Sequence, residues 1–429
     1  MKKSNAFLIE KFDIDPKLQK LADACEYELS DKFSELEEIK KYNQFKILSA
    51  FNKNRISDSH FAWNTGYGYD DPGREAVERV YSDVFNTEDS LVRTNIVNGT
   101  HAIAITLLGL LKRGDKLIYA TGKPYDTMDE VIGIRGENRD SLLENGIEYK
   151  HINLTKDGKI DLEELKRSIT SDVKMISFQR SMGYGWRPAF SPEEIGEACR
   201  LIHSIRKDII CMVDNCYGEF TRASEPTDFG ADVIAGSLIK NPGGGLALSG
   251  GYICGKRELI DRISYRLTSP GVGSECGLTF GQTRSVLQGI FISPQVVNSA
   301  LKGAIFCSKM FENLGFKVLP ESDSERNDII QAIRLGDPKK IEAFCKGIQN
   351  ASPVESFITP VPWKMPGYDT DVIMAAGGFV QGSSIELSCD APMRNPYIAY
   401  FQGGLTYEHS YFGVIKGIDA LIKQGLINL

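Results

Sequence analysis

Residues 209–219 read Ile209-Ile210-Cys211-Met212-Val213-Asp214-Asn215-Cys216-Tyr217-Gly218-Glu219. After a second apolar run, residues 237–245 read Ser237-Leu238-Ile239-Lys240-Asn241-Pro242-Gly243-Gly244-Gly245. Two short apolar runs, one ending in a carboxylate and one leading to a lysine, have the pattern of strands buried on both faces in a parallel sheet. In such sheets ligands bind beyond the carboxyl ends of the strands, so the polar residues there decide the chemistry. A carboxylate at the end of a buried strand needs a partner, because leaving it unpaired costs on the order of several kcal/mol. For Asp214 that partner can be a protonated pyridine nitrogen, a magnesium ion or the donors of a loop. Lys240 stands between a core strand and a glycine run that permits close backbone approach, although most lysines are simply surface residues. Lys240 follows Asp214 by 26 residues, room for one further strand, so the two side chains can converge on one pocket.

Outward from this pair, short β-rich runs alternate with helical ones: Leu91 to Val97, Lys116 to Ala120, Lys174 to Phe178, Ile209 to Asp214, Asp232 to Ser237 and Gly251 to Cys254. The alternation predicts an α/β domain with a large, mostly parallel sheet covered by helices. Asn98-Gly99-Thr100-His101 follows the first run and opens the apolar helix Ala102 to Leu111. Its free amides suit a phosphate and equally suit an ordinary helix cap. Asp15 to Phe51 has apolar residues at helical spacing and predicts an amphipathic arm. A turn-rich loop from Trp63 to Gly73 precedes a helix starting near Arg74. A helix over Ser293 to Leu314 leads into Gly315 to Leu429, a smaller α+β unit with strands near Phe316 to Leu319, Ile329 to Leu335 and Ser384 to Ser388. The expected division is a helical arm (1–55), a large domain (56–300) and a small C-terminal domain (301–429).

Composition narrows the function. The chain has 429 residues, 42% hydrophobic and 25% charged, with a formal charge of −7. It has no basic stretch of the length or aromatic interleaving of a nucleic-acid face, so nucleic acid is not an expected partner. Nine cysteines, none in a CxxC pair, predict reduced and mostly buried thiols. Five dispersed histidines (60, 101, 151, 203 and 409) give no expectation of a metal site. No apolar run suggests a signal peptide or a membrane span, which points to the cytoplasm. Gly66-Tyr67-Gly68 and Gly271-Val272-Gly273 are fragments of a nucleotide fingerprint without its full spacing.

The segments Gly68-Tyr69-Asp70-Asp71-Pro72-Gly73-Arg74, Asn98-Gly99-Thr100-His101-Ala102, Val213 to Phe220 and Ser237 to Gly244 resemble the methionine γ-lyase-like proteins labelled aluminium-resistance or cystathionine β-lyase family proteins. These belong to the pyridoxal-phosphate-dependent enzymes of the aspartate-aminotransferase fold type I. The likeness extends from about Phe51 to Leu429. It implies that Lys240 holds pyridoxal 5'-phosphate as a Schiff base, that Asp214 pairs with the pyridinium nitrogen, and that Gly99, Thr100 and Ser237 hold the phosphate. It implies that Tyr125 stacks on the ring, though a half-buried loop aromatic reads the same way. Tyr69 and Arg74 would reach a neighbour's phosphate across a subunit interface, in a homodimer or homotetramer, though Arg74 can equally be a solvated first-turn helix residue. The activity implied is β- or γ-elimination of a carbon–sulfur bond in an amino acid, giving a thiol, ammonia and a 2-oxo acid.

One departure from the family stands out. Related γ-lyases hold the substrate carboxylate with an arginine in an Arg-Leu-Ser pattern, and here Ser384-Ile385-Glu386-Leu387-Ser388 carries none. A guanidinium fork suits a carboxylate, so the role passes to Arg394, with Arg180 as competitor. The same Lys and Asp would serve an aminotransferase or aldolase, and a cofactor-binding stress protein without turnover is a rival of another class.

Overall fold

The structure, a computed structural model, describes residues 2–137 and 139–429. The helices are α1 (Lys3–Phe12), α2 (Pro16–Glu28), α3 (Ser30–Lys53), α4 (Pro72–Val84), α5 (Gly99–Leu110), α6 (Met128–Ile132), α7 (Leu162–Ser168), α8 (Pro192–Ile205), α9 (Arg257–Leu267), α10 (Thr283–Asn313), α11 (Pro338–Asn350) and α12 (Tyr407–Lys423). The strands are β1 (Asp89–Arg93), β2 (Lys116–Tyr119), β3 (Glu148–His151), β4 (Val173–Gln179), β5 (Ile210–Asp214), β6 (Val233–Ser237), β7 (Gly251–Gly255), β8 (Lys317–Leu319), β9 (Ile330–Arg334), β10 (Val372–Ala376), β11 (Ser388–Pro392) and β12 (Ile398–Gln402). They form two compact units, one of residues 42–183 and 187–294, the other of the chain up to Lys41 with residues 184–186 and 295–429.

The first unit holds a seven-stranded sheet in the order β1-β7-β6-β5-β4-β2-β3. β6, β5, β4, β2 and β3 pair in parallel, and β7 runs antiparallel to both β6 and β1. Every residue of β5, β6 and β7 is buried, as strands covered on both faces require. The apolar helix α5 packs its Ile103, Leu107 and Leu110 into the same core as Met212, Val233 and Ile253. Local chemistry starts the surrounding helices. The Asp71 carboxylate caps the amides of Gly73 and Arg74 and Pro72 takes the first turn of α4, while Ser191 and Glu194 cap each other's backbone at the start of α8.

The second unit is a five-stranded antiparallel sheet, β10-β11-β12-β9-β8, with α11, α12, α1, α2 and parts of α3 and α10. The units divide at 41/42 and 294/295, not at 55 and 300. The apolar character of α10 runs through Pro294, so the helix begins ten residues before the expected Ser293. The Ser293 hydroxyl bonds back to Gly289 O at 2.7 Å. α10 is long and apolar enough to cross a membrane, contrary to the expectation of no such stretch, and is mostly buried as a core helix.

Two strand expectations shift, and β3, β10 and β12 have no counterpart among the expected strands. β1 ends at Arg93, because Thr94 and Asn95 turn before α5. Ser384 to Leu387 are bends, since the buried Glu386 carboxylate accepts the amides of Phe379 and Val380 at 2.8 Å each and holds a turn there. The strand starts only at Ser388. β3 was not expected at all, being an exposed edge of Glu-Tyr-Lys-His with no apolar run to mark it.

Candidate active site

Asp214 closes β5 and is buried. Its Oδ1 accepts the Cys216 amide at 3.2 Å. Burial pushes the carboxyl pKa up and the nearby Lys240 charge pulls against it, with the net direction up. Lys240 lies three residues beyond β6. Burial would lower its pKa, but Cys216, Tyr217 and Asp214 outweigh that and hold the amine in its charged form. The Lys240 Nζ sits 4.0 Å from the centre of the Tyr217 ring. Tyr217 has φ 72°, a left-handed conformation that costs a non-glycine residue roughly 1 kcal/mol or more. The buried Asn241 side chain fixes that loop by donating to Tyr217 O and Glu219 O at 3.0 Å each. The charges of Lys240 and Asp214 act on each other, and the loop that follows Asp214 is held in one strained shape.

The helix start expected to seat a phosphate lies beside them. A Cβ built on Gly99 would stand 3.2 Å from Cys216 Sγ and 3.3 Å from Ser237 Cβ, so the first turn of α5, the end of β6 and the loop after β5 converge at this glycine. Asn98 caps α5 through His101 N at 2.8 Å, and its carbonyl takes Ala102 N at 3.0 Å. This leaves the Gly99 and Thr100 amides without an acceptor among the described residues. Thr100 Oγ1 lies 2.9 Å from Thr127 Oγ1. Thr127 follows Tyr125 by two residues, and the Tyr125 ring approaches Gly183, where a Cβ would meet it at 3.2 Å and Gln179 Nε2 at 2.7 Å. Gln179 in turn pairs with Asp214 in the β4–β5 register. Unfilled amides at a helix start, a buried carboxylate and a half-buried lysine are the groups that a phosphorylated, ring-protonated pyridine aldehyde requires, so the residues fit pyridoxal phosphate.

Other expected residues have different surroundings. Tyr69 is 59% exposed, its ring 5.5 Å from that of Tyr67. Arg74, expected to reach outward or to be solvated, is buried, and its guanidinium donates to the carbonyls of Gly68, Gly277 and Glu275. Its geometry makes it a clamp for the loop that presents Tyr69. Arg180, the competitor for a substrate carboxylate, is 0% exposed. It donates to Glu225 Oε2 and Asn215 Oδ1, both at 2.8 Å. The paired guanidinium braces the loop after Asp214, and its Nε has no partner among the described residues. Arg394, in the other unit, is partly exposed and 3.4 Å from Asp369.

Sequence reasoning passed over Cys216, Tyr217, Asn241, Thr127, Gln179 and Arg187. Arg187 lowers the Asp214 pKa from a distance and has its guanidinium 5.1 Å from the Phe190 ring. Gln179 directly follows the expected strand Lys174 to Phe178 and closes β4 beside Asp214, and that position was its available signal. All nine cysteines are free thiols and eight are buried.

The sequence profile of the methionine gamma-lyase family matches residues 18–422. The chain is 49% identical over 411 residues to the protein YnbB of Bacillus subtilis (strain 168), covering 96% of this chain and 98% of that one. A carbon-sulfur lyase involved in aluminum resistance from Clostridium novyi NT is similar at TM-score 0.94 and 48% identity, over 98% of this chain and 99% of that one. The pyridoxal-5'-phosphate dependent protein YhfS from Escherichia coli shares the fold, with TM-score 0.60 at 14% identity over 90% and 97% of the two chains.

Proposed function

The chain belongs to the methionine gamma-lyase family, and on that premise we propose that it is a pyridoxal-phosphate-dependent lyase that breaks a carbon–sulfur bond in an amino acid. The observation that carries the reading is the half-buried Lys240 amine, close enough for its charge to act on the buried Asp214 carboxylate, beside the open first turn of α5. When bound, pyridoxal phosphate supplies an electron sink for charge released at the substrate α-carbon.

The roles of the chain's own groups follow from their surroundings. Asp214 holds a proton on the ring nitrogen, as a carboxylate without water beside it demands a cation. Once Asp214 is paired in this way it no longer holds charge on Lys240, and burial then favours the neutral amine. That amine takes the proton from the substrate Cα. With sulfur at Cβ, the electron pair of the carbon–sulfur bond then leaves with sulfur; with sulfur at Cγ, a Cβ proton is removed as well before it does, and in either case sulfur gains a proton to become the thiol. Water then releases ammonia and the 2-oxo acid. Gly99, Thr100 and Ser237 hold the phosphate, Tyr125 lies against the ring, and Arg394 takes the substrate carboxylate. Tyr69 reaches a second copy of the chain in a homodimer or homotetramer. In support, Trp63, Tyr67, Tyr69 and Phe280 of the same unit are all more than half exposed, more aromatic surface than a monomer normally leaves in water.

The test is product analysis on cofactor-loaded protein with a panel of sulfur amino acids. Equal amounts of thiol and 2-oxo acid, lost in Lys240→Ala, support the lyase. A requirement for an added 2-oxo acid would make the protein an aminotransferase and overturn the reading.

A further inference from the structure

One histidine, one cysteine and one aspartate, far apart in the sequence, meet at a place away from the residues proposed to hold the cofactor. His203, Cys211 and Asp232 bring a ring nitrogen, a thiol sulfur and a carboxylate oxygen within 4.8 Å of one another. Cys211 is the second residue of β5 and Asp232 immediately precedes β6. The cluster is thus at the amino ends of the strands whose carboxyl ends carry Asp214 and Ser237.

Three lone-pair atoms face the one nitrogen. His203 Nε2 lies 3.1 Å from Asp232 Oδ2, 3.2 Å from Ile209 O and 3.6 Å from Cys211 Sγ. Zinc binds histidine nitrogen at about 2.0–2.1 Å, carboxylate oxygen at about 2.0–2.2 Å and thiolate at about 2.3 Å. A tetrahedral ion therefore sets its N···O edge near about 3.3 Å and its N···S edge near about 3.6 Å. The two observed edges are within a few tenths of an ångström of these values. Lys256 Nζ holds Asp232 Oδ1 at 2.6 Å, which orients the carboxylate and directs Oδ2 to the cluster. Cys211 and Asp232 are buried and the His203 side chain is 26% exposed, so an ion has an entry side and a dry floor.

We propose that His203, Cys211 and Asp232 form a binding site for a zinc-class divalent cation that ties α8 to the amino ends of β5 and β6. The nitrogen, sulfur and oxygen donor set selects a borderline-soft ion over magnesium or calcium, which take oxygen donors. On binding, the Cys211 thiol gives its proton to solvent and its sulfur lone pair to the ion. The alternative occupant is a proton on His203 shared among the same acceptors.

The probe is Zn2+ itself, with Mg2+ as control. Full-length, cofactor-loaded protein is stripped with a chelator, exposed to equimolar metal and gel-filtered, and the retained metal is measured by elemental mass spectrometry. The site predicts about one zinc per chain and no magnesium. His203→Gln and Cys211→Ser should each weaken zinc retention at least about tenfold while keeping the visible absorption of the cofactor. His203→Gln, at a partly exposed position, serves if Cys211→Ser does not fold. A wild-type chain that retains no zinc, or a folded His203→Gln that retains as much as wild type, overturns the proposal.

Discussion

Glu219 is a buried carboxyl behind the Lys240 loop, and replacing it with glutamine should change stability in a pH-dependent way. The side chain is 0% exposed, accepts the Tyr252 hydroxyl on Oε1 at 2.6 Å, and has no partner on Oε2 among the described residues. Burial pushes its pKa from 4.5 up to about 8. Below pH 4.5 both the folded and the unfolded chain carry the proton. Between 4.5 and 8 the unfolded chain loses it and the folded chain keeps it, so stability falls as pH rises and levels off above 8. A shift of roughly 3.5 units at about 1.36 kcal/mol each makes the full loss about 5 kcal/mol, of which about 3 kcal/mol falls between pH 6 and pH 9. Glutamine mimics the protonated acid and cannot ionise. With an unfolding entropy of about 2.1 cal/mol/K per residue, a chain of 429 residues converts about 3 kcal/mol into roughly 3 °C of Tm. Thermal melts of wild type and Glu219→Gln at pH 6 and pH 9 should show the variant gaining about that much on wild type at the higher pH. A Tm difference that is the same at both values would refute the argument that Glu219 is neutral in the folded protein.

Three further outcomes follow from the site. Gly99→Ala puts a methyl group 3.2 Å from Cys216 Sγ and 3.3 Å from Ser237 Cβ, so cofactor affinity should fall by at least about tenfold in equilibrium dialysis, from about 1–3 kcal/mol of crowding. Arg394→Ala should raise KM for the amino acid by about 10- to 100-fold with kcat less affected, the size of a lost charge-assisted bond; steady-state kinetics that leave KM unchanged would remove Arg394 from the site. Arg180→Ala strands the buried Glu225 and should cost about 3–5 kcal/mol, seen as a lower Tm in the cofactor-free protein.

The sheet and the chemical pair could be read from the sequence because buried parallel strands are runs of apolar residues, and Asp214 and Lys240 stand directly after such runs. Gly99 was legible for a related reason, at a strand-to-helix junction. β3 was not, since an edge strand needs no apolar pattern. The surroundings of Arg74 and Arg180 could not be read because nothing in a linear sequence shows which carbonyls or buried glutamate a guanidinium will meet; only the positions of Gly68, Glu275 and Glu225 do so. The meeting of His203, Cys211 and Asp232 escaped for the same reason, as a helix, a strand and a loop supply one donor each. The expected Ser384–Ser388 strand failed where Glu386 turned inward to cap backbone amides, an outcome that strand periodicity does not encode.

The central claim is that Lys240 carries pyridoxal phosphate opposite Asp214. Its most direct test is the absorption spectrum of purified protein with added pyridoxal phosphate, followed by borohydride reduction and peptide mass mapping. The account predicts a band at about 420 nm that reduction abolishes, with the cofactor's mass added at Lys240 and no band in Lys240→Ala. A protein that stays colourless with the cofactor present, or mass added at another lysine, would contradict it.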